Sequence, residues 1–75
     1  MASNLAGLGV SSGAIVGDIT AFGELRRRLM DLGFTPGAAV RCLFAAPSGD
    51  PRAYMIRDSV IALRGSDASL VTLAG

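Results

Sequence analysis

The stretch RRRLMDLGFTPG, residues 26–37, governs how the rest of the chain is read. Three consecutive arginines open it, and Gly33, Pro36 and Gly37 close it. The arginines by themselves suggest a basic patch for nucleic acid, whereas their flanks suggest the wet face of a short helix and its stop signal. Phe22, Leu25, Leu29 and Leu32 recur at a spacing that places them in one narrow apolar stripe of a helix. Arg26 and Arg27 fall away from that stripe. Arg28 lies at its edge, where the stem covers apolar surface and the guanidinium stays in water. Glu24 precedes Arg28 by four, the favourable order for a helical ion pair, and Arg27 with Asp31 forms a second pair in the poorer order. Gly33 then stands at the left-handed position beyond the helix, with Phe34 placed to pack back on Leu29 as in a Schellman ending. Thr35-Pro36-Gly37-Ala38 fits a type II turn, since Pro sets the first central φ and Gly accepts the positive second one. The segment therefore reads as a helix near residues 22–32, its stop, and a turn into a strand.

After this turn, AAVRCLFAA alternates in polarity, with Val40, Cys42 and Phe44 expected on one side and Arg41 on the other. The turn-former cluster PSGDP, residues 47–51, joins it to RAYMIR, and the two runs predict an antiparallel hairpin. VIALR at 60–64 is a further short strand, GSDA turns the chain, and SLVTL at 69–73 ends it with Val71 and Leu73 on a common face. Upstream, GLGVSSG at 7–13 reads as a loop entering a strand over AIVGDIT, whose Ile15, Gly17 and Ile19 share one face. Five to six short antiparallel strands with one helical insertion near 22–32 predict a small all-β barrel, because closure removes edges that so short a sheet cannot otherwise protect.

The totals agree with one compact domain spanning residues 1–75. Apolar residues make up 51% of the chain and charged residues 17%, which argues against disorder. All seven cations are Arg, six carboxylates oppose them, and the net charge of +1 gives no excess for tracking phosphates, so nucleic acid is not an expected partner. The lone Cys42 forms no internal disulfide, and no secretory leader pattern is present, so a cytoplasmic location is expected. The longest apolar run is far short of the ~20 residues needed to cross a bilayer, so any membrane role would pass through a partner at its inner face.

Chemistry is thin. The absence of His removes the commonest general base and metal ligand. Cys42 lies mid-strand and reads as a small core residue. Asp18, Glu24, Asp31, Asp50, Asp58 and Asp67 have no cage-like spacing, so no metal, cofactor or catalytic residue is assigned. Without Lys there is no Walker loop, and one Tyr with three Phe is a thin supply for an ordinary proline-peptide groove. A non-enzymatic protein-binding module remains.

Taken in order, RRRLMDLGFTPG, APSGDP and IALRGSDASLVTL resemble the FeoA family, small cytosolic proteins of ferrous iron transport. The resemblance covers residues 5–73. It rests on Arg28, Leu29, Leu32, Gly33, Pro36 and Gly37, on the Gly-Asp-Pro loop of Gly49, Asp50 and Pro51, and on Leu63-Arg64 before the last strand. Leu5 and Leu8 match the family's opening, while Ser11 stands near an expected Gly. The resemblance implies an SH3-like barrel and a FeoB-type ferrous iron transporter as partner, contacted at its cytosolic GTPase domain or another cytosolic part. The barrel is also similar to the C-terminal domain of diphtheria-toxin-type repressors, but without their DNA-binding and metal-binding parts.

Candidate partner contacts are Arg26, Arg27, Gly49, Asp50, Pro51 and Arg64. Four of them have a plainer reading: Arg26 and Arg27 as solvated helix face, Asp50 as a cap of its own turn, and Arg64 as the ion partner of Asp67. An alternative function has the barrel supply Arg28 or Arg64 in trans to the transporter's GTP hydrolysis, where such a group stabilises transferring phosphoryl charge. Direct iron handling would need carboxylates contributed by several chains, a weak choice for Fe(II). Open strand edges or an apolar patch would support a homo-oligomer.

Overall fold

Short alternating and β-branched runs give five strands: β1 (Gly13–Ile19), β2 (Ala39–Ala45), β3 (Arg52–Ile56), β4 (Ser59–Leu63) and β5 (Val71–Leu73). They pair antiparallel in the order β4-β3-β2-β1-β5. Two short helices interrupt them, α1 (Gly23–Asp31) between β1 and β2, and α2 (Gly65–Ala68) between β4 and β5. A 3-10 turn at Leu5–Gly7, capped by the Asn4 side chain, precedes the sheet. These elements come from a computed structural model, which describes residues 2–75.

The helix stop has the expected bonds. The Gly33 N–H donates to the Met30 carbonyl at 3.0 Å and the Phe34 N–H to the Leu29 carbonyl at 3.1 Å, the paired bonds of a Schellman motif. Gly33 has φ 114 and Phe34 is fully buried together with Leu29. The Ala38 N–H then donates to Thr35 O at 3.0 Å with Gly37 at φ 89, which closes the type II turn. This turn is locked to β1 by bonds from Gly37 N to Val16 O at 2.8 Å and from Val16 N to Ala38 O at 2.9 Å. Helix stop and strand register are thus set by the same six residues, 33–38.

One core runs through the molecule, built on Leu5, Leu8, Val16, Ile19, Leu29, Phe34, Val40, Cys42, Tyr54, Ile56, Leu63, Ala68 and Val71. Among the described residues no polar or charged one is buried apart from the half-polar Tyr54, whose hydroxyl donates to Leu5 O at 3.2 Å. Cys42 is a fully buried free thiol in this core.

Several expectations about faces are corrected. Phe22 does not belong to the helix stripe: it is the N-cap, extended, and 90% exposed, because Gly23 takes φ 63 and the helix starts only there. The β1–β5 register shifts between Val16 and Ile19, so those two are buried while Ile15 is 40% exposed. Gly17 sits in this irregular stretch, and a Cβ there would lie 2.9 Å from Thr72 Oγ1. A second bulge between Cys42 and Phe44 turns Phe44 outward to 60% exposure, away from Val40 and Cys42. GSDA is a helical turn, with Ala68 N bonded to Arg64 O and Ser69 N to Gly65 O, each at 2.9 Å. Neither expected ion pair within α1 is present among the described residues; Arg28 instead reaches Asp67 of α2 at 3.7 Å.

Two consequences can be measured. Gly33→Ala forces an L side chain into positive φ and brings its Cβ to 3.0 Å from Arg57 Cδ. It should lower unfolding stability by about 1–3 kcal/mol in urea titrations, whereas Ala substitution at exposed Asp31 should change it by less than about 0.5 kcal/mol. Burial lifts the Tyr54 phenol above its ordinary 10.0, with the neighbouring Cys42 adding to the rise and Arg52 opposing it. The folded state then holds this proton more tightly than the unfolded chain, so the contribution is intact below pH 10 and lost as pH rises through the folded-state value. Urea unfolding should therefore show stability declining above pH 10, with a shallower decline in Tyr54→Phe. Tyr54 is the chain's one tyrosine, so the tyrosinate absorbance band follows this group directly.

Candidate partner-docking surface

Three motifs separated in sequence meet at one end of the sheet. The loop at 47–51 is tied internally by Ser48 Oγ donating to Asp50 O at 2.9 Å and by Arg52 Nε donating to Gly49 O at 3.3 Å. Arg52 also donates through Nη1 to Leu8 O at 2.7 Å, which anchors the start of β3 to the N-terminal segment. Asp50 does not cap its own turn. Its Oδ1 accepts the N–H of Gly65 at 3.0 Å and so joins the loop to the first residue of α2. A Cβ on Gly65 would lie 3.4 Å from Asp50 Oδ2, so the Asp50 carboxylate packs directly against the Gly65 backbone. From the other side of α2, Asp67 receives Arg28 of α1. The Arg28–Asp67 and Asp50–Gly65 contacts therefore tie helix α1 and the loop to the same short helix α2.

Around these contacts the remaining candidates divide. Arg26 is half-buried; its Nη1 donates to Ile19 O and its Nη2 lies 3.5 Å from Asp18 Oδ1, so it ties α1 back to β1. Arg27 and Arg64 are exposed, and among the described residues neither guanidinium has a hydrogen-bond or ion-pair partner. The expected Arg64–Asp67 pair is replaced by Arg28–Asp67, because Arg64 is extended as the α2 N-cap while Asp67 lies within the helix. Gly49 and Pro51 shape the loop, Gly49 with φ 91 and Pro51 following a cis peptide bond. Leu63 is buried and delivers Arg64 to the surface. Leu32 is the helix C-cap and half-buried, and Pro36 is exposed at the turn. A shallow concavity of about 480 Å³ on α1 is lined by Glu24, Leu25, Arg27, Arg28 and Asp31.

Sequence reasoning missed the outer face of the sheet. Ile15, Phe44, Met55 and Val60 are exposed there, and cross-strand neighbours Arg41, Met55 and Val60 form one row. No period-two pattern could reveal Phe44, since the bulge that exposes it has no residue signature. The proximity of Asp50 to Gly65 was equally hidden, being a contact across fifteen residues. Among the described residues no group of three or more His, Cys, Asp or Glu side chains is placed to hold a metal ion, and no helix is long and apolar enough to cross a membrane.

Comparison with known proteins gives a consistent assignment. The profile of the FeoA domain matches residues 3–74. No curated protein matches the chain. FeoA of Stenotrophomonas maltophilia, solved as a zinc complex and described as an SH3 domain protein and candidate activating factor of ferrous iron transport, superposes with TM-score 0.87 at 30% identity, over 97% of this chain and 91% of that one. FeoA of Chlorobium tepidum superposes with TM-score 0.86 at 34% identity, over 93% of this chain and 67% of that one. A manganese-dependent transcriptional repressor shares the fold alone, at 15% identity and TM-score 0.82 over 40% of its length. The fold is thus the SH3-like one, and the chain belongs to the FeoA family, the accessory proteins of ferrous iron transport.

Proposed function

We propose that this chain is a non-enzymatic cytosolic accessory of ferrous iron uptake that docks on the cytosolic part of a FeoB-type transporter. The docking surface is the end of the barrel where Arg27, Arg64 and the 47–51 loop flank the Arg28–Asp67 pair. The observation that carries this reading is the link from Asp50 to Gly65, which fixes the loop beside α2, the helix whose N-cap Arg64 is exposed and has no hydrogen-bond or ion-pair partner among the described residues. Family membership supplies the iron connection. A rigid, prearranged loop loses little entropy on binding, and unpaired arginines suit an acidic partner surface.

A labelled chain titrated with the transporter's cytosolic GTPase domain, with GDP and with a non-hydrolysable GTP analogue, should show shifts confined to α1, α2 and the 47–51 loop. Arg27→Glu with Arg64→Glu should weaken affinity roughly 10-fold or more and flatten its salt dependence. Unchanged affinity and salt slope would remove this surface from the account.

The exposed, unpaired state of Arg64 also supports a second reading, an arginine supplied in trans to GTP hydrolysis; Arg28 is a poorer candidate because Asp67 engages it. Single-turnover hydrolysis with Arg64→Ala should then fall by about 10³ or more. An unchanged rate ends that reading.

A further inference from the structure

The two sides of the sheet end differently. Beyond β5, Asn4 forms a bridge to Thr72 and Leu73 N donates to Ser3 O at 3.0 Å, so that edge is covered. β4 closes the other side and pairs only with β3. Ile56 and Ser59 flank the two-residue turn Arg57-Asp58, whose φ values of 49 and 64 are those of a type I′ hairpin. In such a hairpin the flanking residues are a hydrogen-bonded pair, and every second residue thereafter points inward. Ser59, Ile61 and Leu63 therefore bond to β3, while the N–H and C=O groups of Val60 and Ala62 face outward. Among the described residues no backbone or side-chain hydrogen bond reaches those outward groups. The strand is Ser-Val-Ile-Ala-Leu, with no charge, Pro or bulge to blunt it, and Val60 is 56% exposed.

We propose that β4 is a self-pairing edge: two copies of the chain join antiparallel about a two-fold axis at Ile61, Val60 of each opposite Ala62 of the other. The occupant follows from charge and register. Antiparallel pairing requires outward groups to face outward groups, which permits two-fold axes only at Val60, Ile61 or Ala62 within the strand. The axis at Ile61 uses the whole of β4 and makes four backbone hydrogen bonds between Val60 and Ala62. It also brings Asp58 of each copy beside Arg64 of the other, twice by symmetry. Both residues are exposed, and among the described residues neither makes an ion pair within its own chain. Arg57 does not compete, because its Nη2 donates to Thr35 Oγ1 at 2.8 Å. The other two axes place Asp58 against Ala62, or Arg64 against Val60, and lose both ion pairs. The contact is isologous and small, so association should be weak, with Kd on the order of 10 μM to 1 mM.

Sedimentation of the full chain from about 10 μM to 1 mM tests this, together with amide exchange over the same range. The expected result is a reversible dimer in which the Val60 and Ala62 amides gain protection with concentration while Ser59, Ile61 and Leu63 stay constant. Val60→Pro removes an outward donor that the monomer does not use, and should give a folded monomer by circular dichroism. Arg64→Glu should raise Kd by roughly 3- to 30-fold, and adding Asp58→Arg should restore most of it. A monomer at every concentration overturns the proposal. So does a dimer that leaves the Val60 and Ala62 amides exchanging freely, or one that Val60→Pro does not weaken.

Discussion

The reversal at residues 33–38 constrains more of this molecule than any other segment. Within six residues it ends α1, turns the chain and hydrogen-bonds to β1 through Gly37 and Ala38. The ladder between β1 and β2 continues directly from that point, Ile15 opposite Ala39 and Gly13 opposite Arg41. The same segment receives Arg57 from the β3–β4 hairpin at Thr35. A shift of one residue here would move Val40 and Cys42 from the core to the outside, since strand faces alternate with period two. Phe34 opposes such a shift, being fully buried against the last turn of the helix.

The segment was also the most legible part of the sequence, for the same reason. Its instructions are local: Gly at a left-handed position, Pro at the first central position of a turn, and an apolar residue two beyond the helix end. Strand existence and the hairpin across the 47–51 loop were readable from alternation and turn formers. Faces failed wherever the ladder slips. Val16 rather than Ile15 enters the core, and Phe44 leaves it, because each strand carries a register shift set by its neighbours. Phe22 failed differently, since a helical spacing can be met by a residue that precedes the helix. The proposed docking surface uses residues that the sequence offers as candidates, but the bond from Gly65 to Asp50 and the choice of Asp67 by Arg28 are tertiary facts.

Arginine chemistry explains how a sheet of such short strands holds its connections in place. Arg26, Arg41, Arg52 and Arg57 each donate to a carbonyl or hydroxyl oxygen of another segment: Ile19, Ser11, Leu8 with Gly49, and Thr35. A guanidinium offers five donors in a fixed plane and can reach across a gap while its stem packs on apolar surface. An ammonium in the same place would be more strongly hydrated and less directional. The chain has no Lys, and with these four arginines tethered and Arg28 facing Asp67, Arg27 and Arg64 are left as the cations without an internal partner among the described residues.

Arg64 then stands at the junction of two surfaces. It is the residue after β4, so it lies beside the edge strand, and it is the N-cap of α2, so it lies beside the Asp50 loop. The proposed self-pairing through β4 and the proposed docking through the 47–51 loop would both draw on its guanidinium. Since one guanidinium cannot fully satisfy an Asp58 from a second copy and a carboxylate of a larger partner, the two associations would compete by linkage. Each would lower the apparent affinity of the other by the free energy that Arg64 contributes to it. A weak self-association is suited to such a balance, because a partner present above its own Kd displaces it without any change in the fold.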